Sequence, residues 1–266
     1  MPFTLSHTAA IIPIARKPLV FSALVVGSMS PDFPYFINLA PRGEFGHTIP
    51  GIFLFCLPAG MLLLWVFHRL MKFPLFSLLP LTLQVRLISH ARDFNFWPIA
   101  RHLWVITSLL IGIMTHVFWD GFTHEYGWAV SWLPILDRPV IELGSKSILL
   151  CNLLQHSGTF VGGCVILLCF IRWIDRAPRE EVRDELRKPA AYKLFWAITM
   201  IIGAILVGSL SSWWKLTHAS IPGGLSKMAG YFAVGVLSGL FVELVLFSIY
   251  WMSESHSLKF QNGESN

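Results

Sequence analysis

HLWVITSLLIGIMTHVFWDGF, residues 102–122, sets the kind of protein this chain can be. Residues 102–119 contain no Asp, Glu, Lys or Arg. A helix needs roughly 20 predominantly apolar residues to cross the hydrocarbon core of a bilayer, and this run has that length and character. Its one acid, Asp120, stands four residues after His116, so the two side chains share a helix face, one turn apart. An imidazole and a carboxylate so placed can bind one divalent cation, or one cation each of a close pair. A plain hydrogen-bonded pair is the competing reading. It loses ground inside a membrane, where an unpaired Asp is costly.

Runs of the same kind flank this one. Residues 45–68, 147–171 and 194–214 carry no Asp, Glu, Lys or Arg; 228–253 carries only Glu243 and 18–41 only Asp32. The expected fold is therefore all-α, a polytopic membrane helical bundle of six spans plus a short N-terminal re-entrant or interfacial helix over residues 1–15. Residues 1–252 read as one integral-membrane domain, and 253–266 as a polar, loose cytoplasmic tail. Pro31 and Pro34 should break the 18–41 segment near Asp32. Residues 73–85 are too short and too proline-interrupted to span, and are expected at the interface. The composition agrees: of 266 residues 55% are hydrophobic and 13% charged, and the mean hydropathy is +0.62. A soluble chain so poor in charge could not cover its own surface. Disorder, collagen-like repeats and coiled coil are excluded on the same ground. Cys56, Cys151, Cys164 and Cys169 lie in apolar runs without a CxxC pair and read as packing residues. Residues 1–15 lack the basic region and cleavage site of a secretory signal.

The net charge of +5 is read as topology rather than as affinity for nucleic acid. If the 172–193 loop is cytoplasmic, strict alternation puts fifteen Lys and Arg inside and five outside (Arg42, Arg138, Lys146, Lys215 and Lys227). The C-terminus is then cytoplasmic. APREEVRDELRK within that loop is expected to form a solvated, salt-bridged helix.

Ionisable groups at membrane depth usually face a protein interior or a watery cavity. Here they are His7, Asp32, His47, His116, Asp120, His156 and Glu243, with His124 and Glu125 just beyond. At 1.5 Å per residue, His116 lies roughly 21 Å from the inner end of its span and Asp32 roughly 22 Å from Lys17. His156 lies about 13 Å in from the outer end of its own span, and His47 opens its span from that side. His7 joins this outer layer if the N-terminus lies outside. Glu243 has no partner within its span and reads as a structural carboxylic acid.

With these residues in hand, the chain resembles the bacterial multi-pass membrane family called domain of unknown function 4184. The likeness rests on MPFTLSHTAAIIP at the start, GSMSPDFPYF at 27–36, GHTIPG at 46–51, THVFWDGFTHEYGW at 115–128 and LLQHSG at 153–158. It covers nearly the whole chain. A more distant similarity is to inner-membrane metal-dependent hydrolases of the LexA-regulated type. Their early His, PD, THS-like and HxxxD motifs correspond to His7, Pro31-Asp32, Gly46-His47-Thr48 and His116-Asp120. The order is also similar to that in zinc phospholipase C and P1-type nucleases. Those enzymes carry a later HxxxE motif, whereas Phe160 follows His156 here, so one or two cations are expected rather than three.

The function expected from residues and resemblance together is a membrane-embedded metal-dependent hydrolase. His7, Asp32, His47, His116, Asp120 and His156 would hold one or two divalent cations, with zinc the best fit to nitrogen and oxygen ligands and manganese or iron open. Asp120 or Asp32 would be the catalytic base, and the substrate a phosphoester of a membrane lipid or lipid-linked headgroup. The alternative is a non-enzymatic membrane protein: a metal or proton transporter, or a structural partner.

Overall fold

The computed structural model describes residues 4–41, 43–92, 94, 96–143, 146–218 and 225–261. Its regular structure is almost all helical. Five helices are long and apolar enough to cross a membrane: Ile49–Leu78, Ile99–Thr123, Leu150–Arg176, Ala190–His218 and Lys227–Glu254. Each contains all or most of one of the charge-poor runs. The sixth expected span is not a continuous helix. Residues 18–41 form two short helices, Phe21–Gly27 and Phe33–Asn38, separated by a 3-10 turn over Ser30–Asp32. Pro31 within that turn and Pro34 just after it break the ladder where expected. The N-terminal helix is present as a 3-10 helix, Thr4–Ile14.

Three further expectations need correcting. Residues 73–78 are not a separate interfacial piece but the last turns of the Ile49–Leu78 helix. That helix holds π-helical turns at Ile52–Cys56 and Phe67–Met71, each ending two or three residues before a proline, Pro58 or Pro74. A proline has no N–H for the carbonyl four residues back, and a widened turn lets the helix continue past it. The APREEVRDELRK stretch is not a solvated helix: only Asp184–Leu186 is helical, as one 3-10 turn. Val182 and Leu186 are buried in an apolar cluster with Phe76, Ile88, Met200, Phe247 and Trp251, so burial wins over local helix pairing. The helix over the tail continues to Gln261, and residues 262–266 lie outside the described residues. A two-stranded antiparallel hairpin, Pro139–Leu143 with Lys146–Leu149, also occurs and was not foreseen.

The chain falls into two compact units. The first comprises Met1–Pro34, Gly43–Leu64 and Phe96–Trp173. In it, the Phe21–Gly27 helix lies directly on the Ile99–Thr123 helix. A Cβ at Gly27 would run into the Leu109 carbonyl, and one at Gly112 into the Leu24 carbonyl and the Ser28 nitrogen. Two glycines facing each other allow this backbone-to-backbone approach, as small residues do in membrane helix pairs. The Val20 N–H donates to Ser108 Oγ at 2.9 Å, which fixes the register. The second unit comprises Tyr35–Arg42, Trp65–Asn95 and Ile174–Asn266, and is built on the pairing of the Ala190–His218 and Leu225–Gln261 helices.

Candidate metal centre

The site is assembled in the first unit from three chain segments. His116 and Asp120 occupy one face of the Ile99–Thr123 helix and are both buried. Asp32 ends the Ser30–Asp32 turn. Ser28 and Ser30 donate to the Val25 and Gly27 carbonyls at 2.8 and 3.1 Å, satisfying the end of the preceding helix locally. His47 ends a 3-10 turn over Glu44–His47. Thr48 then caps the following helix, accepting from the Gly51 N–H at 3.1 Å. Gly46 makes the approach of these two loops possible, because a Cβ there would collide with the Pro31 carbonyl.

Asp32, His47, His116 and Asp120 each turn one ligand-type atom inward, and these atoms lie within 4.8 Å of one another. His47 Nε2 stands 3.1 Å and His116 Nε2 3.2 Å from Asp120 Oδ2, and each is 3.7 Å from Asp32 Oδ1. The two Nε2 atoms are 3.3 Å apart. Atoms 2.0–2.1 Å from a tetrahedral zinc are about 3.3–3.4 Å from one another. The observed separations bracket that value.

The outer contacts of these residues orient the inner ones. His116 Nδ1 donates to the Ser28 carbonyl at 2.7 Å, and His47 Nδ1 to the Gly43 carbonyl at 3.3 Å. Carbonyls only accept, so each ring holds its proton on Nδ1 and, when neutral, presents the Nε2 lone pair to the centre. The Thr4 hydroxyl donates to Asp32 Oδ2 at 2.7 Å, leaving Oδ1 to face inward. Two lone pairs and two carboxylate oxygens thus converge, a set that repels itself unless a cation or added protons sit among it. These four residues could hold a metal ion. The donors fit zinc, manganese or iron equally in kind. His47 is the most exposed of the four: its side chain is 23% exposed while those of His116, Asp32 and Asp120 are at 0, 4 and 9%.

The other expected residues divide. His7 arrives at the site: its ring stacks on that of His116 with centroids 4.0 Å apart, and its Nε2 lies 3.6 Å from Asp120 Oδ1. His156 does not. It is exposed on the Leu150–Arg176 helix, and its neighbour Gln155 turns inward instead, 2.9 Å from His124 Nε2. The signal for Gln155 lay in the sequence as a stripe of small or polar residues, Cys151, Gln155, Gly158 and Gly162, at helical spacing; His156 stands about 100° off it. Thr4 was missed because nothing local marks a hydroxyl that bonds 28 residues away. Glu125 accepts from Asn152 at 3.2 Å on the exposed side. Glu243 lies in the second unit, against Gly203.

Fold and site together define a helical membrane-type protein with a His/Asp centre able to hold a metal ion. The chain belongs to a family described as "Domain of unknown function (DUF4184)", whose model matches residues 1–249. No curated protein and no solved structure matches it, so no match carries the similarity to LexA-regulated hydrolases or P1-type nucleases.

Proposed function

We propose that the chain is a metal-dependent hydrolase embedded in the bacterial cytoplasmic membrane, acting in the outer half of the bilayer on phosphoesters of lipids or lipid-linked headgroups. The observation that carries this reading is the convergence of four acceptor atoms from three segments, those of His47, His116 and Asp32 each oriented by a contact behind it. Asp32, His47, His116 and Asp120 would hold a divalent cation, which would supply water activation near neutral pH and polarisation of a phosphoryl oxygen. Asp120 Oδ2 stands 3.1 and 3.2 Å from the two imidazoles, whereas Asp32 Oδ1 stands 3.7 Å from both. We therefore assign proton uptake to Asp32, held in position by the Thr4 hydroxyl. His47 lines the side from which substrate enters.

The level of the site supports the outer half. The 3-10 helix Thr4–Ile14 rises about 2.0 Å per residue, so Arg16 lies roughly 18 Å from His7. Trp104 lies the same roughly 18 Å from His116 on its own helix. The basic pair Arg16-Lys17 then reaches the inner interface while the N-terminus stays with the site on the outer face. A cysteine replacing exposed Leu5 should be labelled from outside intact cells, and one replacing exposed Glu185 should not; the reverse pattern would put the site on the cytoplasmic side. The test of the chemistry is metal analysis of the purified protein in detergent. Wild type should carry a transition-metal ion and hydrolyse a lipid phosphoester, and His116→Ala should do neither. A wild type that binds no divalent cation sinks the reading.

A further inference from the structure

The last three turns of the Ala190–His218 helix carry a groove that has no part in the metal centre. Val207, Leu210, Ser211 and Trp214 line it from one helix face, at spacings of three and four. Lys215 joins them at the end of the helix, and Leu39 from a separate segment. All six lie in the second unit. The Ser211 hydroxyl donates to the Gly208 carbonyl at 3.0 Å, so the wall is apolar and Lys215 is the charge among these six. The volume is about 340 Å³, within the range of small-molecule sites. From Val207 to Lys215 the wall runs about 12 Å, close to half of the roughly 30 Å hydrocarbon core.

Folding alone does not explain two of these residues. Leu39 has a φ of 47°. The Ala40 N–H donates to the Tyr35 carbonyl at 3.1 Å, the bond that closes a helix through a left-handed residue, a position glycine usually takes. A leucine there strains the backbone, and such strain persists where the surroundings hold it. Ser238 of the Leu225–Gln261 helix does so, donating to the Phe36 carbonyl at 3.1 Å. What leucine adds over glycine is an isobutyl group on the groove. Lys215 stands at the end of its helix that the charge count puts outside, where Lys and Arg are few. Among the described residues no carboxylate pairs with it. Trp214 beside it is held by stacking on His218, with ring centroids 3.8 Å apart and planes inclined by 14°.

We propose that this groove binds an anionic phospholipid of the outer leaflet, with one acyl chain along Val207, Leu210 and Leu39 and the phosphate at Lys215. An acyl chain matches an apolar wall about one leaflet deep, and an ammonium at its head end matches a phosphate. The Trp214 indole suits the level between them. A soluble anion would gain the lysine and leave the apolar wall empty. The proposal is independent of the metal centre, and its test involves no metal.

The test is native mass spectrometry of the full-length protein released from nanodiscs of equal parts dioleoyl phosphatidylglycerol and dioleoyl phosphatidylethanolamine. Wild type should retain about one phosphatidylglycerol per chain, preferred about 5-fold over phosphatidylethanolamine, as expected of one lysine near a membrane surface. Lys215→Gln should bring the preference close to even. Leu39→Gly should melt near wild type in detergent, because glycine takes the left-handed turn without strain, yet retain less than about half as much lipid of either kind. Arg138→Gln, at an exposed position in the first unit, should behave as wild type. No retained phosphatidylglycerol in wild type overturns the site. So does an equal loss of preference in Arg138→Gln and Lys215→Gln, which marks diffuse surface charge. Retention in Leu39→Gly equal to wild type overturns it as well, and so does a wild type that leaves the nanodisc as a lipid-free dimer, which gives the groove to a second copy.

Discussion

The two units share one way of burying polar side chains, and the first adds another. In the second, Ser77, Ser211, Ser238 and Ser248 each donate to a carbonyl three or four residues back, at 2.6–3.0 Å. The Gln84 amide donates to the Phe76 and Leu186 carbonyls, both at 2.9 Å. These hydroxyls and the Gln84 amide nitrogen are satisfied by backbone carbonyls, and Phe76, Ile88, Met200, Phe247 and Trp251 form an apolar cluster in this unit. In the first unit Ser28, Ser30 and Ser108 are satisfied in the same way, but a further buried set turns side chain to side chain: Thr4 to Asp32, and His7, His47 and His116 to Asp120. A hydroxyl satisfied by its own helix needs nothing more. A set of inward-facing acceptors needs something from outside the chain. That difference separates scaffold from site more sharply than burial does, since both units bury polar groups.

The largest expected effect comes from removing the shared carboxylate. Asp120→Asn should abolish stoichiometric metal binding, beyond the roughly 10–100-fold typical of outer contacts. It should also remove the thermal stabilisation that metal gives wild type, about 2.7 kcal/mol at 100 times the dissociation constant. The His116→Ala/Asp120→Asn double variant should fall to the same apo stability as either single one. If the double variant is instead more stable than both, the pair is a structural one, and the contrast between the units loses its meaning.

Next comes Gly112→Ala. Its Cβ would meet the Leu24 carbonyl and the Ser28 nitrogen, pushing away the segment whose Ser28 carbonyl orients His116. Overpacking of this kind typically costs 1–3 kcal/mol, and metal affinity should fall about 10-fold with it. A stability loss at unchanged affinity would show that His116 does not depend on the Ser28 carbonyl. Thr4→Val keeps the shape and removes only the hydroxyl. Isothermal titration should find metal affinity lowered about 10-fold at nearly constant melting temperature. Unchanged affinity would remove Thr4 from the site.

Much of this contrast was legible in the sequence. The spans were visible because charge is excluded from the hydrocarbon core whatever the packing. His116 and Asp120 were visible because a spacing of four fixes a shared helix face. Asp32 and His47 were visible through depth, a property the chain carries locally. What stayed hidden was long-range or balanced between close alternatives. The inward choice of Gln155 over His156 depends on a rotation that one stripe of small residues controls. The unwinding of APREEVRDELRK depends on Val182 and Leu186 finding a pocket among residues from distant segments. Pro74 reads as a stop in sequence and is crossed in the structure, because a π-helical turn precedes it.

The smallest expected effect tests the scaffold side. Glu243 is a carboxylic acid within a spanning helix of the second unit, packed where a Cβ at Gly203 would strike its carboxylate. If function resides in the first unit, Glu243→Gln should leave metal content, metal affinity and hydrolysis unchanged. The amide matches the carboxylic acid in size and keeps an acceptor and a donor, so stability should move by less than about 1 kcal/mol. A transporter would respond differently. Its ions or protons need polar stations beyond the outer layer, and an intramembrane carboxylate is the usual station. Loss of proton-coupled metal uptake into proteoliposomes on Glu243→Gln, with the metal content of the first unit intact, would extend the functional part of the chain into the second unit. The His/Asp centre would then be the mouth of a path rather than a hydrolytic site.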